Sequence, residues 1–262
     1  MATKFDQKTR QRLILTSFLL WPRYLTSPCR KLLRLAIQKL ISHDNKESSE
    51  FKFKAPKIVD PEFDLFNKGY LYIENFLDDA SYRYLLDNWP KKRWFEPLRL
   101  SNNDKSYDSG FRWTERRFDE SIKRNHAVLQ LYEQLKSVEF CDCLTEIAND
   151  DIKRRNLSLM LTQAYSHSYL TPHQDSMGPN QAINNSLINI IYFVEANGRG
   201  WEAGGTSIFA DATFSKPLLI PQNLNNSVLL YRTSNQVWHG FPKIKFRKFR
   251  KTLLAHYWCA ES

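Results

Sequence analysis

His173 and Asp175, in the run Thr171-Pro-His-Gln-Asp175, stand two residues apart. Side chains two apart in an extended chain point to the same face, so both can reach one ion while Gln174 points away. A second histidine, His239 in Trp238-His-Gly240, lies far downstream in another stretch that reads as extended. Two imidazoles and one carboxylate gathered on one side of an ion leave its other side open, and that donor set favours non-haem Fe(II). A basic residue, Arg250 in Arg250-Lys-Thr252, follows eleven positions after His239. The chemistry these residues suggest is that of a mononuclear iron site with His173, Asp175 and His239 as ligands.

Such a site needs strands to carry it. From Leu157 onward, short apolar runs rich in branched and aromatic residues predict strands over Ser158–Tyr165, Ser186–Val194, Thr206–Phe209, Leu218–Ile220, Ser227–Tyr231, Gln236–Phe241 and Thr252–Trp258. Gly, Pro and Asn turns separate them, a pattern that argues for a sandwich or barrel. Upstream, Gly69–Leu77 reads as a strand, and Asp78-Asp79 cap a helix reaching about Trp89. Residues 93–118 have no clear period and read as a long functional or irregular segment. Ala127–Ile147 reads as one helix, with apolar residues at helical spacing.

Hydrophobic residues make up 42% of the 262 and aromatics 14%, which argues for a folded chain rather than a disordered one. The four cysteines form no C-x-x-C pair, so a reducing compartment is the simpler reading; Cys141-Asp-Cys143 reads as buried or idle thiols. The net charge of +10 is uneven: residues 1–57 hold 13 Lys/Arg against 4 Asp/Glu, the remainder 25 against 24.

The sequence therefore divides at 57/58 into a basic N-terminal extension with its linker and a body of nearly neutral charge. Leu13–Trp21 is apolar but short of the roughly 20 residues a bilayer requires. In Cys29–Ile41, Leu33, Ile37, Leu40 and Ile41 share one helical face and basic residues the rest, an amphipathic basic helix. Two readings stay open: a helix packed on the body, or a peripheral membrane contact through residues 1–45. No signal-peptide cleavage pattern follows the apolar run cleanly.

With the strands placed, Gly69–Trp258 resembles the Fe(II)/2-oxoglutarate-dependent dioxygenases, in particular their prolyl-4-hydroxylase-like branch. The pieces stand in that family's order: Tyr165 and Tyr169-Leu-Thr-Pro before His173-Gln-Asp175, then Asn189–Val194, Trp201-Glu-Ala-Gly-Gly205, Asn226–Tyr231, Trp238-His-Gly240 and Arg250-Lys-Thr252. The resemblance implies a double-stranded β-helix, or jelly roll, mainly β, with helices supporting one sheet.

It also implies Fe(II) as cofactor and 2-oxoglutarate and O2 as cosubstrates, with succinate as coproduct and hydroxylation of a C–H bond as the reaction. Relatives that halogenate lack the carboxylate; Asp175 is present here. By the same resemblance Arg250 binds the far carboxylate of 2-oxoglutarate, with Thr252 and Tyr165 as further donors. A guanidinium suits this, gripping a carboxylate through two parallel hydrogen bonds. Arg247 competes for the role because the strand start is uncertain by a few residues.

The substrate is less legible. Arginines among aromatics in residues 93–118 suit an acidic sugar, a phosphorylated lipid or a nucleotide, and the basic N-terminus suits a membrane surface. A glycolipid or envelope sugar is the economical expectation, with a cytoplasmic enzyme peripheral on the inner face of a membrane. A protein prolyl or other side-chain hydroxylase is the alternative. A non-catalytic jelly roll, a zinc hydrolase and a nucleic-acid-binding module are further ones; no nucleic-acid motif supports the last.

Overall fold

The computed structural model describes residues 69–90, 95–99, 105–113, 126–148, 152, 155–175, 188–233 and 237–259. The basic extension, its linker, the boundary at 57/58 and the side chains of Arg93, Trp94, Arg116 and Arg117 lie outside them. No helix among the described residues is long and apolar enough to cross a membrane.

Among the described residues, eleven strands and three α-helices follow in the order β1 (Tyr70–Glu74), α1 (Asp79–Asp87), β2 (Phe95–Arg99), β3 (Lys105–Trp113), α2 (His126–Leu135), α3 (Val138–Ala148), β4 (Arg155–Tyr165), β5 (Tyr169–His173), β6 (Ile188–Ala196), β7 (Ser207–Phe209), β8 (Pro217–Leu219), β9 (Ser227–Arg232), β10 (Trp238–Phe241) and β11 (Phe249–Cys259). A 3₁₀ turn, Gly200–Ala203, precedes β7. The strand order β1-β9-β6-β11-β4-β3 forms one antiparallel layer, and β5-β10-β7-β8 forms the other. Strand β3 joins them by pairing with both β4 and β5. Strands β4 to β11 thus divide between two facing layers, a double-stranded β-helix with the expected helical support.

Alternation along the larger layer explains why β6 and β9 are buried on both sides. Leu159 and Leu161 of β4, Ile190 and Tyr192 of β6, and Leu253 and Ala255 of β11 pack with helical Leu85, Leu131 and Phe140 in one core. The intervening residues Ile191 and Phe193 of β6 and Leu229 and Tyr231 of β9 pack with Ile208 inside the barrel. Each fully buried side chain of this size contributes about 1.5–3 kcal/mol. Tyr82 and Tyr257 anchor the helical layer by donating hydrogen bonds to the Val194 and Leu135 carbonyls.

Two expectations are corrected. Ala127–Ile147 is not one helix: α2 and α3 are separated at Lys136-Ser137. Ser137 starts the second helix, its hydroxyl accepting from the Phe140 amide at 3.2 Å, a capping bond that an uninterrupted helix would not need. Residues 93–118 are not simply irregular. Within them β2 and β3 pair antiparallel from Phe95↔Gly110 to Arg99↔Ser106. Strand β3 then extends the sheet along β4, with a register shift between Gly110 and Arg112. That irregularity and the polar composition conceal the period-two signal.

Candidate metal centre

Strand β5 ends at His173, and Asp175 follows just beyond it. Strand β10 brings His239 directly opposite His173. The two strands approach so closely at Gly240 that a Cβ there would stand 2.5 Å from the Leu170 carbonyl oxygen. Glycine in Trp238-His-Gly240 is therefore a requirement of the pairing that sets the two imidazoles side by side, ring centroids 4.3 Å apart.

Both rings are oriented by their far nitrogens. His173 Nδ1 lies 3.0 Å from the Thr171 carbonyl and His239 Nδ1 lies 3.3 Å from the Val237 carbonyl. A carbonyl only accepts, so each Nδ1 carries the proton and each Nε2 is left with its lone pair. Asp175 Oδ1 stands 3.6 Å from both Nε2 atoms. One ligand atom from each of His173, Asp175 and His239 falls within 4.8 Å of the others. The set fits a divalent ion in donor type and in the direction of its lone pairs. His239 is buried, whereas Asp175 keeps about a third of its side-chain surface accessible, so the site opens on one side.

The second carboxylate oxygen of Asp175, Oδ2, has partners of its own. It accepts from the Tyr231 hydroxyl at 2.7 Å and from Asn189 Nδ2 at 2.6 Å. Asn189 Oδ1 in turn lies 2.6 Å from His256 Nδ1. Burial alone pushes the Asp175 carboxyl up. His173 and His239, when their rings are protonated, and the Tyr231 hydroxyl outweigh it and hold the group well below the usual carboxylate range.

Arg250 is 4% exposed, on β11 between Ala164 of β4 and Ala196 of β6. Small residues on both flanks leave room for its guanidinium, which lies 3.9 Å above the Phe241 ring. Its Nη1 donates to the Gly204 carbonyl and, at 2.7 Å, to the Thr206 hydroxyl. Gly204 caps the 3₁₀ turn at φ +79°, and a Cβ there would meet Ile244 Cδ1 at 2.6 Å. Both the backbone angle and the space demand glycine. Thr252 is fully buried, its hydroxyl against that of Thr162 directly across from it on β4.

Arg247 sits on the exposed turn before β11 at φ +60°, its guanidinium over Phe246. Tyr165 shares a face of β4 with Gln163, to which its hydroxyl donates at 2.5 Å. Thr162 and Ala164 occupy the other face, the one shared with Thr252 and Arg250. Cys141 is buried in α3, and neither it nor Cys143 forms a disulfide. Asn189, Tyr231, Thr206 and Gly204 carried no role in the sequence reading. The available signal was a polar residue at an inward position of an otherwise apolar strand, as Asn189 is in Ile188–Ala196.

No family model matches the chain, and no curated protein matches it in sequence. In fold it is similar to enzymes of one kind. A prolyl-4-hydroxylase from Pseudomonas putida aligns with TM-score 0.54 at 12% identity, over 74% of this chain and 94% of that one. A prolyl hydroxylase from Trichoplax adhaerens, solved with a peptide fragment of the hypoxia inducible factor oxygen degradation domain, aligns with TM-score 0.55 at 13% identity, over 72% and 83%. HygX from Streptomyces hygroscopicus, solved with nickel and 2-oxoglutarate bound, aligns with TM-score 0.51 at 9% identity, over 73% and 83%. At such identities the likeness is one of fold, and it is the jelly roll that the resemblance in the sequence implies.

Proposed function

We propose that this protein is an Fe(II)- and 2-oxoglutarate-dependent oxygenase that hydroxylates a C–H bond. The observation that carries the reading is the convergence of His173, Asp175 and His239 ligand atoms within 4.8 Å. Iron held there would supply the activation of O2 that no side chain can provide. His173 and His239 would present Nε2, and Asp175 would add one negative charge, leaving a net positive centre that attracts the 2-oxoglutarate dianion.

Arg250 would hold the far carboxylate of that cosubstrate. It is buried, cationic and fixed from one side by Gly204 and Thr206, so little of its freedom remains to be lost on binding. Thr252, two residues along the same inner face, would add a hydroxyl. Apolar Ile191, Phe193 and Leu229 line the interior of the barrel and keep water from the reacting groups.

For the substrate we favour an acidic sugar or glycolipid met at the inner face of a membrane by a cytoplasmic enzyme. The strong positive charge of residues 1–57 and the arginines of residues 93–118 support this reading. Succinate release from 2-oxoglutarate, measured with Fe(II) and panels of acidic sugars, anionic glycolipids and prolyl peptides, tests it. Stimulation by a sugar or lipid supports the reading. Stimulation by peptides alone would make the protein a side-chain hydroxylase, and no turnover in the Asp175→Ala variant is expected with any panel.

A further inference from the structure

Asp175 does not hold its place by itself. Its Oδ2 receives two hydrogen bonds, from the Tyr231 hydroxyl and from Asn189 Nδ2, while its Oδ1 faces the two imidazole Nε2 atoms at equal distances of 3.6 Å. A carboxylate oxygen offers about two lone-pair directions, so those of Oδ2 are occupied. The three groups behind it are built into the strand register. Asn189 on β6 is the direct cross-strand partner of Tyr231 on β9 and of His256 on β11. The row β9-β6-β11 thus places a phenol, an amide and an imidazole side by side, facing the carboxylate that follows β5.

The directions of the bonds between Asp175, Tyr231, Asn189 and His256 can be worked out; the Tyr231 hydroxyl also lies 3.1 Å from His239 Nε2. Asp175 is acceptor-only when ionised, so Tyr231 donates its hydroxyl proton and Asn189 turns its NH2 toward Oδ2. Asn189 Nδ2 also lies 3.1 Å from the Tyr231 oxygen, which accepts the second amide proton. Asn189 Oδ1 must then face His256, whose Nδ1 donates across 2.6 Å. Flipping the amide would set Oδ1 against Oδ2, acceptor against acceptor. The carboxylate thus sets which end of Asn189 meets it, and His256, donating to Oδ1, holds the amide in that orientation.

We propose that Tyr231, Asn189 and His256 are positioning residues that confine Asp175 to metal binding through Oδ1 alone and so keep a coordination position open. The proposal rests on the metal-centre reading above. Bonding of both oxygens to one ion would consume a position that 2-oxoglutarate or O2 requires. Holding Oδ2 with two donors costs the protein that much more in the swing to two-oxygen binding. A merely structural row would behave differently: replacing buried, mutually bonded polar groups by apolar ones of like shape can leave stability almost unchanged and would not touch the metal.

Co(II) serves as the probe, since its visible absorption reports coordination number and its affinity is read by titration without turnover. Tyr231→Phe and Asn189→Leu are each expected to weaken Co(II) binding about 10–100-fold and to alter its visible bands. His256→Leu is expected to act in the same direction, and His256→Gln, which returns an N–H donor to Asn189 Oδ1, to recover most of the loss. Thermal melting shows which variants are folded; Tyr231→Phe, the least disruptive, decides the matter if Asn189→Leu is not. Folded Tyr231→Phe and His256→Leu proteins with native Co(II) affinity and spectrum would overturn the proposal alone. A wild-type protein that binds no Co(II), or binds it equally after His173→Ala, would overturn the metal centre and this proposal with it.

Discussion

His173 and His239, which lie in different parts of the chain, are direct cross-strand partners in the β5–β10 ladder, their rings 4.3 Å apart. Their approach depends on the residue after His239. A side chain at Gly240 would run into the β5 backbone at the Leu170 carbonyl and at Pro172 N, 2.9 Å away. Gly240→Ala is expected to cost about 1–3 kcal/mol of stability and to weaken metal binding. Chemical denaturation and metal titration of the same variant check both effects.

Arg250 is the second testable element. Arg250→Ala is expected to raise the 2-oxoglutarate requirement by the worth of a charge-assisted contact, about 1.5–3 kcal/mol, while metal binding remains nearly intact. Arg247→Ala, on the exposed turn, is expected to leave the requirement unchanged. Cosubstrate dependence of succinate release in the two variants separates them. The reverse outcome would move the cosubstrate site to Arg247.

A purely structural prediction concerns Asn226, 5% exposed at φ +53°. Its Oδ1 accepts from the Leu77 amide and the Tyr192 hydroxyl, and its Nδ2 donates to the Leu77 carbonyl. These bonds pin the turn after β1 to the sheet. Asn226→Ala leaves buried polar groups without their partner and is expected to destabilise by about 1–3 kcal/mol. The midpoint of urea unfolding measures this, with Co(II) affinity of the folded protein expected to remain native.

The N-terminal extension is testable without any further structural detail. The full chain is expected to float with anionic liposomes and to be released by high salt. A chain beginning near Phe53 is expected to remain in solution and to keep succinate-forming activity. Unfolding on truncation, with no flotation of the full chain, would instead make Leu13–Ile41 part of the body.

The proposed metal ligands were legible because their signal is local: two residues at strand spacing, and a third beside a Trp and a Gly. Arg250 was legible as a basic residue entering the last strand, but its separation from Arg247 became visible only once β11 began at Phe249. Strands β2 and β3 were hidden because pairing partners, not composition, make them strands. The Ser137 cap was obscured by apolar spacing that runs across it. Asn189, Tyr231 and His256 gain meaning from register alone, since three strands distant in sequence set them in one row. Nothing within any one of those strands announces that arrangement.

The central claim is the iron site, and its most direct test is optical. Anaerobic addition of Fe(II) and 2-oxoglutarate to the purified protein is expected to produce a weak visible charge-transfer band that saturates at one iron per chain. That band is expected to vanish in His173→Ala and in His239→Ala while both variants remain folded. An unchanged band and unchanged iron affinity in both variants would contradict the assignment.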